Sequence, residues 1–335
     1  LAPGMHVPML IVMALLLGAY WAVGSNLTIK PCQEVTDGAG FALAHQQMFG
    51  VAFFYWLAGK LFGNEGKKKD KKVKKIEDLE LPGFLSIFND NMVSASVLML
   101  VFFGAILCVL GKDYLIAGGF MKEGQSMLFY VIQTCLYFAV YLAILQMGVR
   151  TFVAELTTSF QGIASKLLPG SVPGVDCAVI FGFGASNAVT LGFVSGFIGQ
   201  ILAIIVLIAL KSPVLIICGF VPVFFDNATI GVFANVKAVL VLPFISGLCQ
   251  VFGSALIAGW VGMAAYGGYL GMWDWAVVWP VFTVVMKYLS YIGVTLIFIG
   301  LLAIPQIQYY KDKKGYFLMT EDYEAYKELK ANKAN

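Results

Sequence analysis

The chain has 335 residues, 60% hydrophobic and only 12% charged, with a net charge of +3 and a mean hydropathy of +0.84. A soluble globular domain carries about twice that charge fraction, so the composition excludes one and describes an all-α polytopic membrane protein. Most of the lysines fall within Lys60–Lys75 and Lys311–Lys333. Positive segments beside membrane spans stay in the cytoplasm, so both are expected to be solvated, orienting charge on the inner side and not a nucleic-acid site.

Met5–Asn26 is a first span, with Tyr20 and Trp21 near one end as interface anchors. The next stretch, Lys30–Gln47, reads KPCQEVTDGAGFALAHQQ and sets Glu34, Asp37 and His45 between two apolar segments. Phe41, Met48 and Ala52 share a helical face, so a helix is expected to begin near Asp37, with His45 and Gln46 a turn or two inside it. A neutral imidazole and a carboxamide bond polyhydroxylated solutes well. Ionisable residues in membrane segments are rare and costly, which favours that reading over His45 as a satisfied packing residue. Glu34 and Asp37 also suit capping and hydration of the helix start.

The apolar run continues to Phe62, and the Lys67–Lys75 loop cannot enter a bilayer. Pro82 then opens a short helix whose stripe of Phe84, Leu85, Phe88 and Met92 suits the interface plane. Met92–Leu110 and Ser126–Gly148 are the second and third spans, the latter closed by Arg150 on the inside. Phe152, Leu156, Phe160, Ile163 and Leu167 recur at helical spacing, so a second interfacial helix is expected, ending at Leu168-Pro169-Gly170 with Glu155 toward water.

Gly174–Gly184, GVDCAVIFGFG, is apolar except for Asp176. Such a piece, at about 1.5 Å per residue, reaches roughly half of a ~30 Å hydrocarbon core. It reads as a re-entrant half-helix, tolerated at that depth only beside protein or a water-filled cavity. Asn187–Leu210 is a full span with Gly192, Gly196 and Gly199 placed for close helix approach. Pro213–Asn235 reads as a second hairpin whose halves meet at Phe225-Asp226-Asn227, a helix-start signal. Ala238–Trp260 is a span, Tyr266–Trp279 interfacial, Pro280–Ile304 the last span, and a charged tail follows. The spans after Arg150 are odd in number although Arg150 and the tail both belong inside, so a hairpin or Tyr266–Trp279 supplies a further crossing.

The six cysteines, Cys32, Cys108, Cys135, Cys177, Cys218 and Cys249, show no CxxC or Cys/His metal spacing. Free buried thiols are expected, with no metal and no cofactor. The sequence has no HExxH or GxSxG, which argues against an intramembrane enzyme and leaves no catalytic residue to name. Interrupted helices with polar residues at their breaks are the pattern of carriers, whereas channels favour continuous pore-lining rings.

Three stretches, KPCQEVTDGAGFALAHQQ, FVAELTTSFQGIASKLLPGSVPGVDCAVIFGFGASNAVTLGF and GFVPVFFDNATIGVFAN, closely resemble the ascorbate-specific membrane subunit (enzyme IIC component) of the bacterial phosphoenolpyruvate-dependent phosphotransferase system. The resemblance implies an elevator-type homodimer in the bacterial inner (cytoplasmic) membrane. Its implied organisation is a core-domain segment at 1–62, a cytoplasmic lysine-rich loop at 63–83, scaffold and linker helices at 84–168, a core domain with re-entrant hairpins at 169–280, a last span at 281–310 and a cytoplasmic tail at 311–335. It implies soluble IIA and IIB partners, L-ascorbate as substrate, L-ascorbate 6-phosphate as product and the phosphoryl-carrying cysteine on IIB. Substrate binding falls to His45, Gln46 and Asp176, with Asp37, Asp226 and Asn227 in support. Asp176 also suits a helix N-cap, and Asp226 and Asn227 read mainly as a cap. Ascorbate is an enolate anion near neutral pH, so Asp176 either meets its side-chain hydroxyls or stands uncharged in apolar surroundings, while helix N-termini supply positive potential. Family members carry a first part of roughly a hundred residues or more that is expected to be missing here, and Gly184-Ala185-Ser186 departs from the family pattern. A secondary transporter of a related sugar acid, without phosphorylation, is the alternative.

Overall fold

The first apolar run folds as α1 (Val7–Thr36), which passes through Pro31 and extends well beyond the predicted end at Asn26. At about 1.5 Å per residue it is ~45 Å long, more than the ~30 Å hydrocarbon core. The computed structural model describes residues 7–62, 91–169, 171–234, 238–257 and 272–334. The lysine loop, the helix predicted from Pro82, and positions 258–271 fall outside them.

Asp37 and Gly38 end α1 in left-handed backbone, φ +53° and +88°, with the Gly38 N–H donating to the Gln33 carbonyl at 2.9 Å. Asp37 therefore closes a helix; it does not open one as expected. Gly38 is required twice, since a Cβ there would also lie 2.7 Å from the Tyr323 ring. A short strand β1 (Ala42–Leu43) and α2 (Met48–Phe62) follow.

Helix α3 (Asn91–Ala117) breaks at Gly111, φ +78°. It packs against α4 (Met127–Leu167) through Met99, Leu107, Val131 and Cys135. The third span and the amphipathic helix predicted after it are one continuous helix: α4 has 41 residues, ~60 Å by rise. Its apolar window ends at Leu145, beyond which Glu155 is exposed.

The stretch read as a half-helix is a strand, β2 (Gly174–Val175), followed by a 3-10 helix, Cys177–Gly182. Then come α5 (Ser186–Ala209), α6 (Phe220–Phe233) and α7 (Val241–Ala255). A hairpin does not form around Phe225: Asp226 and Asn227 lie inside α6, and 213–219 is non-helical. The span predicted over Ala238–Trp260 contains α7, only 15 residues long. The glycines of α5 do bring backbones together. A Cβ at Gly192 would sit 2.6 Å from the Asn227 carbonyl oxygen and one at Gly199 2.2 Å from that of Phe244. Backbone cannot yield as a flexible side chain can, so α5, α6 and α7 are locked at small-residue distance.

Helix α8 (Trp273–Lys311) is kinked at Ser290, φ 50°. Trp273 and Trp279, expected at an interface, are buried in its first turns, at 5% and 2% exposure. Tyr20, expected as an anchor, is fully buried against Phe49 and Trp279, ring centroids 5.4 and 5.2 Å away. The tail forms α9 (Gly315–Glu321) and α10 (Tyr323–Ala334) and folds back on α1. Lys327 pairs with Glu324 at 2.6 Å and Asp37 at 3.0 Å. Those carboxylates raise the Lys327 ammonium above the ordinary lysine value. The contribution is thus present throughout neutral pH and is lost only as pH rises through the raised value. Asn26 donates to Gln308 at 2.9 Å, setting the later parts of α1 and α8 side by side. Among the described residues five helices are long and apolar enough to cross a membrane: Val7–Thr36, Ala95–Ala117, Met127–Leu145, Asn187–Ala209 and Trp273–Lys311.

Candidate functional site

The centre of the site is a pairing of two residues with two. β1 and β2 run parallel, Ala42 opposite Gly174 and Leu43 opposite Val175. The Ala42 N–H donates to the Pro173 carbonyl at 2.9 Å and the Ala44 N–H to that of Val175 at 2.8 Å. Helix α1 holds β1 in place with buried polar side chains. Thr28 Oγ1 accepts from the Leu43 N–H at 2.9 Å, and Gln33 Nε2 donates to the Phe41 carbonyl at 3.2 Å. A Cβ at Gly174 would lie 2.8 Å from that of Ala44, so the strands meet this closely only with glycine there.

The pairing carries the chain directly to His45 on one side and Asp176 on the other. His45 Nε2 lies 3.7 Å from Asp176 Oδ1. The His45 side chain is 15% exposed and that of Asp176 60% exposed, so the apolar surroundings weighed for Asp176 are not found. Its second oxygen accepts from the Ala178 N–H at 3.2 Å and caps the 3-10 helix, as the N-cap alternative anticipated. Cys177 is buried beside it. Ligand atoms of His45, Asp176 and Cys177 all lie within 4.8 Å of one another, a grouping that sequence spacing did not signal.

His45 and Gln46 stand just outside a helix, not a turn or two within it. The His45 carbonyl accepts from the N–H groups of Gln47, at 2.7 Å, and Met48, at 3.2 Å, forming the turn that opens α2. The Gln46 carbonyl accepts from the Asp274 N–H at 3.1 Å.

Asp274, which the sequence reading passed over, fixes this turn. It is fully buried, with Oδ1 accepting from the Gly50 N–H at 2.9 Å and Oδ2 from the Phe49 N–H at 3.1 Å and the Tyr20 hydroxyl at 2.6 Å. A carboxylate on α8 thus satisfies the orphan donors at the start of α2. Asp226 repeats the device one step away. It is fully buried on α6 and accepts from the Trp273 N–H, the first residue of α8, at 2.5 Å, and from Gln250 Nε2 at 2.8 Å. Gln250 Oε1 in turn accepts from Gln200 at 2.6 Å and Asn227 at 3.3 Å. With its amide nitrogen toward α6, Gln47 donates to Asp226 Oδ1 at 3.3 Å. Asp226 and Asn227 therefore do not start their own helix, contrary to expectation; they belong to a buried polar network that braces the site from behind. Asp37 is drawn to Lys327 of the tail. The signal for Asp274 was a lone acid between two tryptophans, WDW.

The chain is 31% identical over 279 residues to a Mycoplasma pneumoniae protein named ascorbate-specific PTS system EIIC component, an alignment covering 75% of this chain and 41% of that protein. The chain thus spans about half the length of the relative it matches. The family model of the sugar-specific permease components of the PTS system (EIIC-GAT) matches residues 3–276, a stretch that contains β1, β2 and every residue of the site just described. By that match, the chain belongs to the PTS sugar-specific permease component family.

Proposed function

We propose that this chain carries L-ascorbate across the bacterial inner membrane and presents it to soluble partners for phosphorylation to L-ascorbate 6-phosphate. The observation that carries the proposal is the convergence of His45 and Asp176 through the β1–β2 pairing, beside a buried polar network. His45 and Gln46 donate to oxygens of the sugar acid, and Asp176, open to water on one side, accepts from its hydroxyls. Asp226 and Asn227 act at a distance by holding α8 and α7. The name of the Mycoplasma relative supports ascorbate as the substrate. Family membership supports IIA and IIB as the source of the phosphoryl group, which needs no nucleophile on this chain.

In this reading the protein works as a homodimer in which a core containing the site slides against a scaffold that includes α3 and α4. The lysine-rich loop and the tail face the cytoplasm. The deciding experiment is equilibrium binding of labelled L-ascorbate to the purified protein, challenged with related sugar acids and lactones. Saturable binding displaced preferentially by ascorbate, and conversion to the 6-phosphate when IIA, IIB and phosphoenolpyruvate are added to vesicles, is expected. Saturable binding of another sugar acid that ascorbate fails to displace overturns the substrate; transport of unmodified ascorbate overturns the coupling.

A further inference from the structure

The imidazole of His45 is poorly used by its surroundings. Nδ1 is buried without a hydrogen-bond partner, and Nε2 stands 3.7 Å from Asp176 Oδ1, beyond the ~2.7–3.2 Å of a hydrogen bond. A tetrahedral zinc ion with N and O ligands at about 2.0–2.1 Å holds them about 3.3 Å apart. The observed gap is closer to two ligands facing a common point than to a direct bond. A third donor lies beside them: the Cys177 sulfur completes a set whose atoms all lie within 4.8 Å of one another. Imidazole nitrogen, carboxylate oxygen and thiolate sulfur together select borderline-soft cations over magnesium or calcium.

The scaffold of this set is rigid. Asp176 and Cys177 follow β2 directly, His45 lies two residues beyond β1, and the strands are hydrogen-bonded to one another. Asp176 is held by its cap to Ala178, while its exposed side leaves a route from water and room for a fourth ligand.

We infer that His45, Asp176 and Cys177 form a binding site for a zinc-class, thiophilic divalent cation. Binding forms a metal–sulfur bond, breaks the S–H bond and releases that proton to water. His45 and Asp176 are also the sugar contacts proposed above. The cation and the sugar therefore exclude one another, and zinc acts as an inhibitor of the carrier. The inhibitory part rests on the ascorbate reading, and the cation site stands without it.

The test is titration of the purified full chain with cobalt(II) alone, then with zinc. One cobalt per chain is expected, with a thiolate-to-cobalt charge-transfer band that zinc abolishes. Cys177→Ser removes the band and weakens zinc binding on the order of 100-fold or more, since even outer-shell changes cost 10–100-fold. Asp176→Asn, which preserves the cap, also weakens zinc binding, and Cys108→Ser, on the exposed face of α3, changes nothing. Cobalt binding without the sulfur band, or zinc affinity equal in the parent, Cys177→Ser and Asp176→Asn, overturns the site. In parallel, zinc should displace bound ascorbate from the parent. Ascorbate and zinc bound together overturns the competition, whereas zinc bound as described by a protein that never binds ascorbate supports the cation site and refutes the sugar reading.

Discussion

Asp274→Ala tests how the turn at His45 and Gln46 is held. The carboxylate accepts from three donors, the buried Tyr20 Oη at 2.6 Å and Gly50 N at 2.9 Å and the partly buried Phe49 N at 3.1 Å. Truncation leaves all three without this acceptor at a position that is fully buried. Each orphaned donor costs about 1–3 kcal/mol; with partial relaxation, a total of about 3–5 kcal/mol is expected, as for other broken buried charge contacts. Asp274→Asn keeps one acceptor and turns an N–H₂ group toward the remaining donors, so about 1–3 kcal/mol is expected. Because two of the three donors, the Phe49 and Gly50 amides, belong to the first turn of α2, the loss should be local before it is global. Hydrogen exchange on the purified protein reads it directly. The amides of Phe49 and Gly50 should exchange about 5- to 150-fold faster in Asp274→Asn, more in Asp274→Ala, with amides of α3 and α4 unchanged. If the chain binds ascorbate as proposed, its affinity should fall in the same order, since the Gln46 carbonyl accepts from the Asp274 N–H at 3.1 Å. Unchanged exchange at Phe49 and Gly50 in Asp274→Ala would refute the capping role.

Three further outcomes follow from the geometry. His45→Ala and Gln46→Ala should each weaken ascorbate binding about five- to a hundred-fold without lowering the melting temperature; full binding by both in equilibrium dialysis returns His45 to a packing role. Asp176→Asn retains the cap on Ala178, so it should keep stability while losing ascorbate binding; if only Asp176→Ala binds poorly, capping is the residue's whole role. Gly196→Ala places a Cβ 2.1 Å from Asn227 Cγ and should destabilise the α5–α6–α7 packing by about 1–3 kcal/mol; a melting temperature equal to the parent's counts against that packing.

Much of the helical content could be read directly, because apolar runs and the glycine spacing of α5 have one physical interpretation in a membrane. His45 and Asp176 could be singled out because acids and imidazoles are rare between apolar segments. Their meeting could not, since a pairing of two residues with two leaves no periodic trace. Phe225-Asp226-Asn227 looked like a helix start because Asp and Asn are good caps. The start lies instead at Phe220, with Pro222 in the first turn, a signal of equal standing. Asp226 and Asp274 do cap helices, but other helices than their own, and a cap supplied across 47 residues cannot be read from local order. The continuity of α4 was missed because hydropathy falls at Leu145, whereas helical hydrogen bonding does not depend on which solvent surrounds it.

The capping pattern bears on how an anion is met. Helix N-termini attract anions, and the sequence reading assigned them that task. Three of the helix starts around the site already face a carboxylate: α2 faces Asp274, α8 faces Asp226 and the 3-10 helix faces Asp176. Their positive ends are spent on the protein's own charges. Helix α5 differs, for its cap position is Ala185 and no side chain caps it. Its start follows the 3-10 helix, ~12 Å long at about 2 Å per residue, so it lies on the order of 12 Å from Asp176. A unit charge placed at Ala185 acts on a bound anion at that distance with about 1.4 kcal/mol at an effective dielectric of ~20, close to tenfold in affinity. Ala185→Asp and Ala185→Asn both supply the missing cap and should both stabilise the protein, by about 1 kcal/mol. Only Ala185→Asp adds the opposing charge. It should bind ascorbate up to about tenfold more weakly than Ala185→Asn, and the difference should shrink as salt is raised. Equal affinities in the two variants at low ionic strength would remove α5 as a source of positive potential for the anion.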